Sequence, residues 1–224
     1  MKLYSTLFLC TILMAQERAP VPPFLPSVAE IERVREKMRE LQSQLSRIKK
    51  SGDLHADVEI YLKAADWILR HPEEFYSKAY YDNTLAVLDR GLARAQELGA
   101  GKPSWTTAKG RISRAYRSRI DGSVQPYGLL IPESYDSQKP ARLDVVLHGR
   151  AATMNEVSFL FGHDSPKPLP TGLDHLSLEV FGRTNNAYRW AGETDIFEAL
   201  ESVRNAQHRS KSDCAARLLD GRRR

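Results

Sequence analysis

Arg142-Leu-Asp-Val-Val-Leu-His-Gly-Arg150 is the stretch whose reading decides the fold. Leu143 to Leu147 is short, β-branched at its centre and apolar on both faces. That pattern predicts a buried parallel strand. His148-Gly149 ends it, and a glycine at a strand end lets the backbone turn and approach a ligand closely. Downstream, Asn155 to Phe161 reads as a short helix. Leu176 to Phe181 reads as a second strand ending at Gly182, and Ala191 to Val203 as a helix with Ile196, Phe197, Leu200 and Val203 apolar. Upstream, Ile112 to Ile120 and Val124 to Ile131 flank Asp121-Gly122, a hairpin signal. A hairpin followed by strand, helix, strand and helix predicts an α/β sheet with parallel inner strands.

Gly99-Ala-Gly-Lys-Pro103 marks a change of pattern. Before it, Ser27 and Glu30 form a capping box. Ile31, Val34, Met38, Leu41, Leu45 and Ile48 then make one helical stripe. Asp53 is placed to cap a second helix with Val58, Leu62, Ala65 and Leu69 inward, stopped by His71-Pro72. A third runs from Ser77 to Leu98, with Leu85, Leu88, Leu92 and Ala95 on one face and Gly99 as its stop. The short connections predict a three-helix all-α unit over residues 27–98, followed by an α/β unit over residues 104–204. The helical unit carries no recognisable chemistry.

The N-terminus reads as a targeting signal over residues 1–15. Lys2 gives a positive start, Leu3 to Met14 is an apolar run, and Ala15 offers a small residue for cleavage before Gln16. A Pro-rich linker over residues 16–26 follows. No run approaches the roughly 18 apolar residues of a membrane span, so stable membrane association is not expected after cleavage. Cys10 and Cys214 are the two cysteines, and removal of the signal leaves one, which excludes an internal disulfide framework. The net charge of +5 lies entirely in the tail: from Arg204 onward seven basic residues meet two aspartates. A nucleic-acid surface needs a basic face on the folded body, so no nucleic-acid partner is expected. His55, His71, His148, His163, His175 and His208 show no metal-ligand spacing, and no cofactor is expected.

Three blocks carry a resemblance. They are Y-G-L-L-I-P-E-S-Y (127–135), R-L-D-V-V-L-H-G-R (142–150) and G-R-T-N-N-A-Y-R-W-A-G-E-T-D-I-F-E-A-L (182–200). Together they resemble secreted bacterial α/β-hydrolases of the prolyl-oligopeptidase (peptidase S9) and esterase-like group, over about residues 110–204. The resemblance implies the N-terminal half of an α/β-hydrolase sheet. It also implies an oxyanion loop at His148, Gly149 and Arg150. Asn185, Asn186, Tyr188, Arg189 and Trp190 would then lie near the pocket mouth, beyond the carboxyl end of the fourth strand. The implied activity is serine-nucleophile hydrolysis of an ester or peptide substrate.

The chain departs from that pattern in its serine elbow, its fifth strand and the triad acid and histidine that normally follow the serine, all of which are missing. It holds no G-x-S-x-G, and where a fifth strand and that elbow are expected it reads N-A-Q-H-R-S-K-S-D-C-A-A-R-L-L-D-G-R-R-R. One permitted codon set for Arg204 to Arg224, read one nucleotide on, encodes A-T-L-N-I-D-P-N-R-I-V-L-R-G-F-S-M-G-G-A-G. This contains a short strand and a nucleophile elbow. The expectation is a frameshifted basic tail over residues 205–224 and a truncated, inactive serine hydrolase; the alternative is a non-catalytic secreted binding module. The N-terminal reading makes a direct prediction: exported material gives a mature N-terminus at or near Gln16 by mass spectrometry. Intact Met1 in a cytosolic fraction is the contrary result.

Overall fold

The computed structural model describes residues 24–49, 52–137, 139–149, 151–183 and 186–209. The signal segment 1–15, linker residues 16–23 and tail residues 210–224 lie outside the described residues. Ser27 opens α1 (Val28–Arg47): its hydroxyl accepts the Glu30 N–H at 3.3 Å, and the Glu30 carboxylate accepts the Ser27 N–H at 2.7 Å. This is the reciprocal box read from the sequence. Helix α2 (Asp53–Arg70) starts differently from expectation. Gly52, at φ +56°, holds the cap position, and Asp53 is the first helical residue, with its charge near the positive helix end. Helix α3 (Lys78–Gly99) runs through Gly99. The left-handed turn comes at Gly101 (φ +71°), whose N–H donates to Leu98 O at 3.0 Å. The stop is thus two residues later than the sequence suggests.

Helix α2 is buried more widely than its sequence stripe implies. Ala56, Asp57, Val58, Ile60, Tyr61, Ala64, Ala65 and Ile68 are all buried, because α1 and α3 cover one flank and the sheet the other. Gly91 of α3 marks a close approach among the helices. A Cβ there would meet Leu41 Cδ2 and Tyr61 Cβ at 2.8 Å.

The chain is mixed α/β, with five α-helices and an open four-stranded mixed sheet in the order β1-β2-β4-β3 among the described residues. Strands β1 (Gly110–Arg117) and β2 (Val124–Ile131) form the expected antiparallel hairpin. Strand β4 (Leu176–Val180) joins β2 antiparallel, and β3 (Leu143–Leu147) lies parallel to β4, pairing Leu143 with Leu176 through Leu147 with Val180. Helix α4 (Glu156–His163) connects β3 to β4, capped by an Asn155–Ser158 box. Helix α5 (Ala191–Arg209) continues past the expected end at Val203. Tyr127, Leu129, Leu178 and Val180 pack with Ala199 and Val203 of α5. On the other side Ile112, Ala115 and Val124 share one apolar cluster with the three N-terminal helices and with Val157 and Leu160 of α4.

The expectation of a buried β3 is not met. Val145, Val146 and Leu147 are 38%, 42% and 49% exposed. The physical reason is position: β3 is the last strand in the order, so only β4 flanks it. Apolar residues on both faces here signal a strand suited to burial, not one that is buried.

The seam between helices and sheet is polar. Asp57, fully buried on α2, accepts three hydrogen bonds: Arg114 Nε at 2.8 Å, Trp105 Nε1 at 2.9 Å and the Ala115 N–H at 2.7 Å. Removing one partner of a buried pair strands the other charge, at a cost of about 3–5 kcal/mol. Asp57→Ala is therefore expected to destabilise by that amount in urea unfolding. Asp89→Ala, which breaks a surface pair with Lys37, should cost no more than about 1 kcal/mol. Equal effects of the two substitutions would contradict the assignment.

Candidate functional site

His148 and Gly149 leave the carboxyl end of β3 beside Phe181 and Gly182, which leave that of β4. The turn after β4 is unusual. Gly182, Arg183, Ala187, Tyr188 and Trp190 all have φ between 52° and 60°, a region that costs side-chain-bearing residues energy. The conformation is held from several sides. Arg183 donates from Nε to Asp195 Oδ2 at 2.9 Å, from Nη1 to Asp121 Oδ2 at 2.5 Å and from Nη2 to Ser118 Oγ at 2.9 Å. The β4 end, the first turns of α5 and the hairpin tip are thereby tied together. The Arg183 guanidinium holds the Asp121 carboxyl well below the usual carboxylate range. Gly182 has to be glycine, since a Cβ would lie 2.4 Å from Tyr188 Cε1.

The result of this turn is the placement of Tyr188. Its hydroxyl accepts the His148 N–H at 2.9 Å and donates to Val180 O at 2.8 Å. The Tyr188 and His148 ring centroids are 5.1 Å apart. His148 Nε2 lies 2.8 Å from Phe181 O and Nδ1 lies 3.0 Å from Gly149 O. Tyr188 thus fixes the start of the loop after β3. Gly149 itself is open, with nothing within 4 Å of where a side chain would begin.

The other residues singled out from the sequence fare unequally. Arg150 and Asn185 lie outside the described residues. Asn186 serves the turn, donating from Nδ2 to Arg189 O at 3.4 Å and packing against Gly192. Arg189 is exposed and Trp190 is 81% exposed. Among the described residues of the proposed mouth, Tyr188 alone bonds to the His148 loop.

Beside His148 a cleft of about 230 Å³ is lined by Val146, Met154, Ser158, Phe159, His163 and Glu179. His163 lies across β2 at Gly128, where a Cβ would fall 2.0 Å from its ring. Its Nε2 is 2.8 Å from Glu179 Oε2 and its Nδ1 is 2.9 Å from Phe159 O. The hydrogen bond from His163 holds the Glu179 carboxyl below its ordinary range, against the opposing effect of burial. Sequence reasoning missed this pair. The available signal was Gly128, since an isolated glycine inside a strand marks a close approach.

Compared with protein-family models, curated proteins and solved structures, the chain gives no match.

The site's chemistry therefore rests on its own groups. Ser158 Oγ is engaged in the α4 capping box, accepting from Asn155 N and donating to Asn155 O. Both ring nitrogens of His148 and of His163 face oxygen atoms. Among the described residues, no serine hydroxyl here is paired with an available histidine base. No set of three or more His, Cys, Asp or Glu residues among them is arranged to hold a metal ion. The cleft brings the paired His163 and Glu179 together with apolar Val146, Met154 and Phe159, and His148 stands at its border.

Glu179 supplies a pH-dependent prediction. An acid whose pKa is depressed on folding contributes stability above its unfolded value, and loses it as pH falls through the folded value. Glu179→Gln should lower urea stability relative to the parent at neutral pH, and the difference should shrink as pH falls through the folded carboxyl's own value. A difference that persists or grows in acid would show that His163 does not stabilise the ionised carboxylate.

Proposed function

We propose that residues 104–204 form the N-terminal part of a serine-hydrolase domain, and that the complete protein hydrolyses an ester or peptide bond. The observation that carries this reading is the Tyr188-braced loop at His148-Gly149, at the carboxyl end of a parallel strand whose outer edge is open. Backbone N–H groups held rigidly at a strand end suit an oxyanion, because donors fixed before reaction need no reorganisation as charge develops. Here the His148 N–H is already bonded to Tyr188. Gly149, with its open Cα side, is the donor candidate of the loop. The antiparallel hairpin, the parallel pair β3–β4 and the following α5 occur in the order that the sequence resemblance implies.

In this reading the 224-residue chain supplies the binding half of the site and lacks the nucleophile. Its sequence has no G-x-S-x-G, and oxyanion donors without nucleophile and base leave little catalysis. A second reading, a binding module, has one observation in its favour. The exposed Val145, Val146 and Leu147 on an open edge suit addition of an extended peptide strand.

The two readings separate experimentally. The mature chain should neither turn over p-nitrophenyl esters nor react with a fluorophosphonate probe. A chain continued in the shifted frame from Arg204 through the downstream gene should be soluble and should label stoichiometrically. Labelling of the 224-residue chain itself would refute the first expectation. An unreactive continued chain, or a locus without a downstream frame, would favour the binding module.

A further inference from the structure

A second cavity lies on the seam between α3 and the start of β1, away from the His148 cleft. It measures about 140 Å³, against the roughly 30 Å³ that one water occupies. Its walls carry four cations: Arg90 and Arg94 from α3, Lys109 just before β1 and Arg111 within it. Two acids also reach it, and both are already satisfied. Asp164 accepts from Tyr61, Arg94 and the Ser113 N–H. Glu97 accepts from the Ser104 N–H and hydroxyl. Arg94 in turn is spent on Asp164, Ser113 O and Asp57 O.

The remaining cations are not matched in this way. Arg111, partly buried, feels the Glu179 carboxylate through space, but its covered Nε has no hydrogen-bond acceptor among the described residues. Arg90 makes a single 3.3 Å bond to the Asp164 carbonyl. Lys109 meets the Tyr135 carbonyl and lies 4.6 Å from its ring centroid, leaving further donor positions on its ammonium. A buried charged donor without an acceptor is costly unless something brings one. Guanidinium groups suit oxyanions in particular, since their planar fork matches two oxygens at once.

We propose that this cavity binds a tetrahedral dianionic oxyanion, a phosphate or sulfate group, with Arg111, whose Nε is covered, as its anchor and Arg90 and Lys109 closing around it. Three cations approaching from two elements match the several oxygens of such a group better than the two of a carboxylate. The volume admits the anionic group itself, so a larger ligand would leave the rest of its body outside.

Equilibrium dialysis of the full chain against radiolabelled inorganic phosphate tests this and is insensitive to the oligomeric state. Saturable binding at one site per chain is expected. It should weaken about tenfold or more in Arg111→Gln, as loss of hydrogen bonds to a charged group implies. It should also weaken in Arg90→Gln, a surface substitution that leaves folding intact, and be unchanged in Arg33→Gln on α1. Competition identifies the source: displacement by phenyl phosphate marks a phosphorylated ligand, and displacement by inorganic phosphate or sulfate alone marks the free ion. Non-saturable uptake, equal binding by all variants, or displacement by acetate as effective as by phosphate would overturn the proposal.

Discussion

The structure depends on charges buried between its helices and its sheet. Asp57 on α2 and Asp164 after α4 each accept three hydrogen bonds. Arg94 joins them, bonding Asp164 at 3.2 Å and the backbone of Ser113 and Asp57. Its guanidinium also lies 5.2 Å from the Tyr61 ring and 5.1 Å from that of Trp105. Buried charge is tolerable only when nearly every lone pair and proton is used, and here the carboxylates meet that condition. The requirement is geometric as well as energetic. Segments from α2, α3, β1 and the end of α4 must stand in one arrangement to satisfy it, a directional demand that apolar contacts do not make.

That arrangement reaches the candidate site through α4. Asp164 is the C-cap of α4 and a member of the buried network. Fixing it fixes His163, one residue earlier, against the bare backbone of Gly128. His163 then meets Glu179 on β4, and that pair borders the cleft in which His148 sits. The helical N-terminal segment thus contributes to the site without supplying a residue to its chemistry. It sets the position of the helix that forms one wall.

The sequence made the elements legible and left their relations obscure. Capping at Ser27, the Asp121-Gly122 hairpin and the strands at Leu143 and Leu176 were readable because each rests on local chemistry. The burial of α2 on both flanks was not, since one stripe of Val58, Leu62, Ala65 and Leu69 satisfies helical periodicity. The second contact depends on a sheet formed by distant residues. Nothing in the sequence distinguishes Asp57 for the same reason: its partners Trp105 and Arg114 lie 48 and 57 residues away. In the site, His148 was legible from its strand end. Tyr188 was placed at the mouth, but its bond to the His148 N–H follows from a run of left-handed residues that no propensity scale suggests.

Interior and rim differ in a way that bears on the cleft. Inside, the largest side chains are fully covered and most polar groups are paired, Arg111 Nε being one exception. At the β3 edge three consecutive apolar residues are exposed, and Phe197 of α5 is 64% exposed as well. Scattered apolar exposure needs no explanation, but a contiguous run on an unpaired strand presents both an apolar surface and a row of backbone donors and acceptors. Val146 belongs to this run and to the lining of the cleft. A strand laid against β3 would therefore do two things at once: cover the apolar edge, and add a wall to the cleft beside Gly149. The open edge and the braced His148 loop therefore adjoin, with Val146 common to the edge and to the cleft that His148 borders.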